Sequence, residues 1–323
     1  MRCWIAGLFV LLSLLAKRFF ADLISDVTIT RECPTHWSKR QRPLKIFDAF
    51  SWNGESELLY FRLQELNSSV SLFFVAEASA SFSGRPRQLQ LSRLGSRFDR
   101  FRQKMVHVVA ELPSNPVPMS EASAFRRQTA QRNALADAVL THPDVDRGDL
   151  VLVNDLDELP RVDVLDQLRR CDGWQSPVLL EMEDRWYDFE CGPRAGPRWR
   201  KPKVLRVHEL ESRCDGAYDG AICLDEARDN QQLRLGLFRL PTTVREAGVH
   251  MSFFLSIASI RHKLATYAHT QRSAPQRLAC MVLRCQHPNG ERGVRDPSAR
   301  PPHWLRGTWA APLNSSGKNC FEL

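Results

Sequence analysis

The stretch Gly148–Pro160, GDLVLVNDLDELP, decides the fold class of this chain. Its short apolar run, Leu150 to Val153, is typical of a buried strand, and the carboxylates of Asp155, Asp157 and Glu158 follow it. Carboxylates at the mouth of a buried strand are costly unless a positive charge compensates them. Because side chains alternate along a strand, Asp155 and Asp157 are predicted to project from the same face.

Two interpretations of these carboxylates are open. Carboxylate oxygens at this spacing suit Mg²⁺ or Mn²⁺, which leave coordination positions for phosphate oxygens. The metal interpretation therefore predicts a nucleoside-diphosphate site at the end of the strand. In the alternative, Asp157 or Glu158 caps a helix that Pro160 begins. A three-residue motif alone does not decide between them.

Composition places the chain among globular proteins and limits its partners. It has 323 residues, 43% of them hydrophobic, which is enough for one large α/β domain or two small ones. The net charge of +8 would suit nucleic acid, an anionic membrane surface or an anionic substrate. Its arginines are scattered and no nucleic-acid-binding motif is present, so we predict no nucleic-acid partner. The sequence also lacks GxGxxG, Walker and GxSxG motifs, which removes the corresponding enzyme classes.

The first 25 residues predict a leader. The apolar run Cys3–Ala16 is closed by Lys17 and Arg18. It is shorter than the roughly 20 residues of a membrane-spanning helix and long enough for the core of a signal peptide. We predict a cleaved signal peptide, or an uncleaved signal anchor that attaches the chain to a membrane. A buried N-terminal helix is the alternative, although the run has no polar face.

Cysteines and glycosylation sequons predict the same compartment. Beyond Cys3 the chain has eight cysteines, an even number that can pair in an oxidising lumen. Asn-Ser-Ser sequons begin at Asn67 and Asn314. Together with the leader, they place the body of the protein in the secretory pathway.

Hydrophobic patterning predicts an α/β fold. A strand over Leu44–Phe50, a helix over Glu57–Leu66 and a strand over Val70–Ala76 make a βαβ unit. Such units favour a mainly parallel central sheet flanked by helices, with ligands at the carboxyl ends of the strands. The other predicted elements are a strand over Met105–Ala110, helices over Ala124–Leu140 and Val162–Leu168, a strand over Pro177–Met182, a turn at Gly248 that includes His250, and a helix over Ile257–Ala268.

Six blocks, in this order, resemble glycosyltransferase family 17. The blocks are RPLKIFDAFSWNGESELLYFRLQEL from Arg42, FFVAEASASFSGRPRQL from Phe73, QRNAL from Gln131, GDLVLVNDLDELPR from Gly148, AGVHMSFF from Ala247 and HKLATYAHT from His262. The resemblance implies a GT-A-like fold with the Asp-x-Asp at a strand end, and a UDP-GlcNAc donor held with Mn²⁺ or Mg²⁺. It also implies inverting transfer to a mannose of an N-glycan, in the β-1,4 bisecting linkage. The implied location is the Golgi lumen as a type II membrane protein, or outside the cell if the leader is cleaved.

With this resemblance, the chain divides into four predicted parts. They are a leader over residues 1–25, a stem over 26–43, a glycosyltransferase domain over 44–272 and a polar, Cys-containing tail over 273–323. Two alternatives stay open: a transferase of the same fold that uses another sugar or acceptor, and a catalytically silent glycan-binding module whose Asp-x-Asp binds calcium.

The resemblance also gives candidate site residues. The metal ligands are Asp155, Asp157 and His250, which aligns with a histidine of the family. The edge of the donor site is expected to include Glu57, Glu77, Arg132 and Asp155, which fall at the ends of elements within the matched blocks or close to them.

An inverting transfer needs a general base near the acceptor hydroxyl. Asp219, in the glycine-flanked turn CDGAYDG, is the candidate placed first, although a plain turn aspartate is the alternative. The other candidates are Asp184, Asp188, Glu209, Glu211 and Asp215. The aromatic residues Trp186, Tyr187 and Phe189 are candidates either for a sugar-stacking cleft or for the core.

Overall fold

The computed structural model of the chain describes residues 26–27, 32–112, 121–194, 198–214, 241–266, 278–288 and 291–305. Its strands are β1 Asp26–Val27, β2 Ser38–Lys39, β3 Ile46–Ser51, β4 Leu72–Ala78, β5 Met105–Ala110, β6 Leu150–Val153, β7 Glu158–Pro160, β8 Cys171–Asp172, β9 Val178–Trp186, β10 Cys191–Pro193, β11 Lys203–Arg206, β12 Thr243–Ser252 and β13 Gly293–Arg295. Its helices are α1 Ser56–Leu66, α2 Glu121–Thr141, α3 Val162–Arg170, α4 Val207–Cys214, α5 Ile257–Thr266 and α6 Leu278–Leu283, with 3-10 segments at Leu91–Arg93 and Ser96–Lys104.

Nine of the strands described form one central sheet. Their order is β1-β12-β9-β11-β6-β3-β4-β5, and β7 pairs with β12 beside this path. Five of its eight strand pairings are parallel, including β3 with β4 and β6, and β9 with β12. The prediction of an α/β fold with a mainly parallel sheet is therefore confirmed for the part of the chain described.

Helices cover both faces of this sheet. Ile46 and Phe50 of β3 pack into a core with apolar residues of α1 and α3. Phe47 and Ala49, which alternate with them, pack on the other face against α2 and α4. All four side chains are fully buried. A parallel strand buried on both faces reads as a nearly continuous apolar run, which is why the sequence LKIFDAF predicted a strand here.

The predicted βαβ unit and the strand over Met105–Ala110 are confirmed, with the βαβ boundaries shifted by one to two residues. The turn predicted at Gly248 is wrong, because Gly248 lies inside β12, opposite Pro160 of β7. A Cβ atom at Gly248 would lie 2.2 Å from the carbonyl oxygen of Leu159. The glycine therefore marks a close approach of two strands instead of a change of direction.

Disulfides join distant parts of the described chain. Cys33 bonds to Cys171, which ties the segment predicted as a stem to the end of α3. Cys191 bonds to Cys285, which lies in the segment predicted as a tail. Cys214 is also disulfide-bonded. Disulfides of this kind persist in oxidising compartments, as the cysteine count predicted.

Trp186, Tyr187 and Phe189 are all buried, so the core alternative describes these three aromatic residues. Within the same described ranges, no helix is both long enough and apolar enough to cross a membrane. The leader predicted over residues 1–25 lies outside them.

Candidate functional site

The Asp-x-Asp pair lies in a tight turn between β6 and β7. The strand ends at Val153, and the backbone N–H of Glu158 donates to the carbonyl oxygen of Asp155 at 3.0 Å. The Glu158 carboxylate accepts the N–H of Asp155 at 2.7 Å, so the turn is closed from both sides. The expectation that Asp155 and Asp157 continue the strand is wrong. The capping alternative is not observed either, since α3 follows Arg161 without a side-chain cap.

The buried side chain of Arg62 holds this turn in place through hydrogen bonds to its backbone. Arg62 of α1 donates to both carboxylate oxygens of Asp48, at 2.8 and 2.9 Å. Its remaining nitrogen, Nη1, donates to the carbonyl oxygens of Glu158 at 2.7 Å, Leu156 at 3.3 Å and Asp155 at 3.4 Å. Arg62 and Asp48 are fully buried. The rigid guanidinium fork thus joins α1 and β3 to the backbone of the turn.

A cavity of about 490 Å³ opens beside the turn. Ser51, Trp186 and Ser252, the last residues of β3, β9 and β12, line it, so it lies at the carboxyl edge of the sheet. The charged residues in its lining are the carboxylates Glu55, Asp155, Asp157, Asp184 and Glu291 and the cations Arg132, Lys201 and Lys263. A cavity of this size can hold a small polar ligand. Because its carboxylates outnumber its cations, negative groups of a ligand would have to lie beside the cations or beside a bound metal ion.

Asp155 is paired with Arg132 of α2. The Arg132 Nη2 atom lies 2.8 and 3.2 Å from the two carboxylate oxygens. Only 7% of the arginine side chain is exposed, against 32% for that of Asp155. The sequence predicted both residues for the edge of the site, and the fold brings them together.

Asp157 is held by charges from two other elements. The Nζ atom of Lys263, on α5, lies 3.2 Å from its Oδ2, and Nε2 of His250, on β12, lies 3.9 Å from its Oδ1. Burial alone would raise the pKa of the Asp157 carboxyl, but the charges of Lys263 and His250 outweigh burial and lower it. Asp157 is therefore ionised in the folded protein at neutral pH.

His250 is oriented on three sides. Its Nδ1 atom lies 2.9 Å from Asp184 Oδ1, and Ser252 Oγ lies 3.2 Å from its Nε2. The imidazole stacks on Trp199 with ring centroids 4.0 Å apart, and Trp199 Nε1 donates to Glu158 at 2.5 Å. Because an ionised carboxylate only accepts hydrogen bonds, Nδ1 carries a proton, and Nε2 faces Ser252 and Asp157.

The protonation of His250 follows from these neighbours. Burial alone would lower the pKa of His250, but its hydrogen bond to Asp184 and the charge of Asp157 raise it above the usual value. Asp184 uses its second oxygen to accept Trp186 Nε1 at 3.0 Å. Asp184 therefore orients the histidine and is itself fixed in place.

Two other predicted residues do not line the cavity. Glu57 is 66% exposed on α1 and pairs with Arg97. Glu77, at the end of β4, is fully buried and accepts the backbone N–H groups of Gln90 at 2.6 Å and Leu91 at 3.0 Å. These bonds fix the loop after β4, so Glu77 acts on the protein's own backbone.

The candidates for the general base differ in whether they line the cavity. Asp219 and Asp215 lie outside the described residues. Among the other candidates, Asp188 pairs with Arg295, Glu209 accepts a hydrogen bond from Ser176 and Glu211 pairs with Arg147. Of this set, Asp184 is the candidate in the described ranges that lines the cavity, and both of its oxygens are engaged.

Sequence reasoning did not single out several residues that the fold brings to the cavity. Glu55 precedes α1, and its carboxylate accepts the N–H of Asn53 at 3.0 Å. Lys263 is 106 residues from Asp157 along the chain. Ser252 had a usable signal, because it lies two positions after His250 and would share its face on a strand. Glu55 and Lys263 both lie in blocks that resemble the family, and that was the only signal their local sequence offered.

The described ranges hold no group of three or more His, Cys, Asp or Glu side chains that could bind a metal by itself. Asp157 and His250, both predicted as ligands, are neighbours. Asp155 lies in the same turn and is turned towards Arg132.

Comparison with known proteins gives a family. The model of "Glycosyltransferase family 17" matches residues 19–220, more than half of the chain. The "Beta-1,4-mannosyl-glycoprotein 4-beta-N-acetylglucosaminyltransferase" of Homo sapiens is 26% identical over 172 residues, and that of Rattus norvegicus gives the same figures. These alignments cover 52% of this chain and 30% of each relative, so the chain spans less than a third of the length of these relatives.

A solved structure, "Crystal structure of 4-diphosphocytidyl-2C-methyl-D-erythritol synthase", aligns with a TM-score of 0.33 and 12% identity. The alignment covers 62% of this chain and 89% of that one. This likeness is too weak to support any statement about the fold. The assignment comes from the family match, which contains four of the six sequence blocks, those from Arg42, Phe73, Gln131 and Gly148: the chain belongs to glycosyltransferase family 17.

Proposed function

We propose that the chain is an inverting, metal-dependent glycosyltransferase with a GT-A-like fold. In this proposal it moves GlcNAc from UDP-GlcNAc to a mannose of an N-glycan, in β-1,4 linkage. The observation that carries the proposal is the cavity at the carboxyl edge of the sheet, where Asp155 and Asp157 face the same space as Arg132, Lys201 and Lys263. Family membership and the names of the relatives support the sugar and the acceptor.

The cations of the cavity suit a diphosphate. Phosphate oxygens accept hydrogen bonds from guanidinium and ammonium groups, and these charge-assisted bonds are about twice as strong as neutral ones. Arg132 presents a nearly buried guanidinium next to Asp155, and Lys201 lies in the same wall. In the proposal, these side chains hold the donor's phosphates and keep the anomeric carbon of the sugar facing the cavity.

The donor atoms of the site fit Mn²⁺ or Mg²⁺. Asp157 and Asp155 offer hard oxygens, and a Mg²⁺ site commonly consists of one or two carboxylates completed by substrate phosphates. The hydrogen bond between His250 Nδ1 and the Asp184 carboxylate is of the kind found around metal-binding histidines. His250 Nε2 is therefore proposed as a third ligand. When bound, the metal would neutralise the charge that develops on the departing nucleotide.

The acceptor is proposed to enter on the aromatic side of the cavity. Phe125 and Trp199 line it, and aromatic faces pack well on the apolar faces of sugar rings. Asp219 stays the proposed general base. The disulfides fit an oxidising compartment, so we propose the secretory pathway, with the Golgi lumen as the working location.

Calorimetric titration tests the donor site. UDP-GlcNAc, UDP-galactose and UDP-glucose are titrated into the protein with and without Mn²⁺. The test variant is Asp157→Asn, and the matched control is Asp137→Asn, an exposed aspartate of α2 outside the cavity. We expect Mn²⁺-dependent binding of UDP-GlcNAc that is lost in the first variant and kept in the second.

Transfer is tested separately, by incubating the protein with UDP-GlcNAc, Mn²⁺ and a biantennary N-glycan. A mass gain of one N-acetylhexosamine, together with β-1,4 linkage by NMR, would support the full proposal. Folded protein that binds no nucleotide sugar contradicts the donor site and leaves the silent glycan-binding module as the interpretation. Binding of a different UDP-sugar contradicts only the choice of donor.

A further inference from the structure

Lys263 stands between two carboxylates in the wall of the cavity. Its Nζ atom lies 3.2 Å from Asp157 Oδ2 and 3.6 Å from Glu55 Oε1. The ammonium also lies 5.7 Å from the ring centroid of Phe253. Its side chain is 19% exposed, and those of Asp157 and Glu55 are 16% and 12% exposed. The Lys263 ammonium thus lies beside groups from the Asp-x-Asp turn, the segment before α1 and the residue that follows β12.

These distances are long for contacts between an ammonium and a carboxylate. Charge-assisted N–H···O bonds are typically about 2.7–2.9 Å long. By comparison, Arg132 approaches Asp155 to 2.8 Å, and 7% of the arginine is exposed. The Arg132–Asp155 contact is thus the shorter of the two ion pairs, and the Lys263 ammonium lies within 4 Å of two carboxylates.

The chemistry of lysine suits a group that exchanges partners. An ammonium is a compact charge on a flexible four-carbon stem, and it binds phosphate without a fixed geometry. A ligand with two phosphates that enters this cavity offers Lys263 a stronger anion than either carboxylate. A cation that binds Asp157 repels the ammonium from the same oxygen. Both events favour the same displacement of Lys263, from Asp157 towards the ligand.

We propose that Lys263 is a donor-binding residue that neutralises Asp157 in the empty site and moves to the donor's diphosphate when the donor enters. This inference rests on the proposed function, because it takes a nucleoside diphosphate as the ligand. It also means that Lys263 and a metal ion compete for Asp157 when no donor is present.

The inference makes three measurable statements about Lys263→Met in the full chain. In saturating Mn²⁺, affinity for UDP falls by about 10- to 100-fold, the range for losing one hydrogen bond to a charged group. Affinity for uridine, which has no phosphate, stays within about twofold of the wild type. Binding of Mn²⁺ alone becomes tighter than in the wild type, since the competing charge has been removed. The gain for Mn²⁺ tests the competition for Asp157, and the loss for UDP with uridine unchanged separates a donor-binding lysine from one that only supports the fold.

The controls use the same helix and the same position. Arg261→Gln removes an exposed cation of α5 outside the cavity and should leave all three affinities unchanged. Lys263→Arg keeps the charge and should hold UDP within severalfold of the wild type. Thermal unfolding of each variant shows whether it is folded at the temperature of the titration.

The possible outcomes separate this inference from the proposed function. Wild-type protein that does not bind UDP overturns both. Wild-type binding with an unchanged Lys263→Met variant overturns the role of Lys263 alone. An equal loss of UDP and uridine by the folded variant also overturns it, because the effect would then not depend on phosphate. If Lys263→Met binds Mn²⁺ more weakly than the wild type, the inference that Lys263 competes with the metal for Asp157 is wrong.

Discussion

Replacing Arg62 with methionine should destabilise the protein strongly. Arg62 and Asp48 are both fully buried, and the change leaves the Asp48 carboxylate without its bidentate partner. Breaking a buried ion pair from one side costs about 3–5 kcal/mol, because an uncompensated charge remains in the core. For a domain of this size, about 2–4 °C in Tm accompanies each kcal/mol, so we expect Tm to fall by about 6–20 °C.

The structure also supplies a control and a rescue. Arg102→Met removes an exposed arginine that pairs with Asp99, and such surface pairs contribute about 0–1 kcal/mol. Adding Asp48→Leu to Arg62→Met removes the unpaired charge as well and should recover part of the stability.

Guanidinium-chloride unfolding, followed by tryptophan fluorescence, measures these differences. An Arg62→Met variant within about 1 kcal/mol of the wild type would refute the reasoning, since this is the range of a surface pair. So would a double variant that is less stable than the single one. In either case the Asp48–Arg62 pair would not be the anchor of the Asp-x-Asp turn.

Two further outcomes follow from the packing and the charges. Gly248→Ala should lower the free energy of unfolding by about 1–3 kcal/mol, because the new Cβ would lie 2.2 Å from Leu159 O and 2.8 Å from Pro160 Cα. The control Gly95→Ala, with no atom within 4 Å of the new Cβ, should leave it unchanged. Equal effects of the two substitutions in chemical unfolding would contradict the close contact between β12 and β7. The pKa of His250 is raised from 6.5 by Asp184 and Asp157 against the effect of burial, so its contribution to stability is fully present below about pH 6.5 and is lost as the pH rises through the raised pKa. In EDTA, the difference in Tm between wild type and His250→Gln should therefore shrink from pH 6 to pH 8.5, and a difference that grows with pH would mean that the folded protein prefers neutral His250.

Much of the fold was predictable because it depends on local pattern. A run such as LKIFDAF, short and followed by turn residues, is typical of a strand covered on both faces. The helix over Ser56–Leu66 and the strand over Met105–Ala110 follow from spacing in the same way. The prediction failed at Gly248, where a glycine that usually indicates a turn instead permits two strands to pack closely.

The site was predictable only in part, because charge alone does not show which groups meet. Asp155 and Arg132 were both predicted for the edge of the donor site, and they form an ion pair, whereas their role in binding a donor stays a prediction. Glu77 carries the same charge as the two aspartates, yet it is fully buried and bonded to the loop that follows β4. Its burial depends on the path of that loop, which the spacing of residues does not determine.

The sequence by itself determined the fold class, the position of the acidic turn and the resemblance to a family, because each depends on residues close together in the chain. Only the tertiary structure decided which charges compensate Asp157. Strand β7, which directly follows the turn, pairs with β12, and α5 follows β12, so His250 and Lys263 reach the turn from about a hundred residues away. Their charges meet Asp157 because of strand order, and strand order is set by burying apolar faces over the whole sheet.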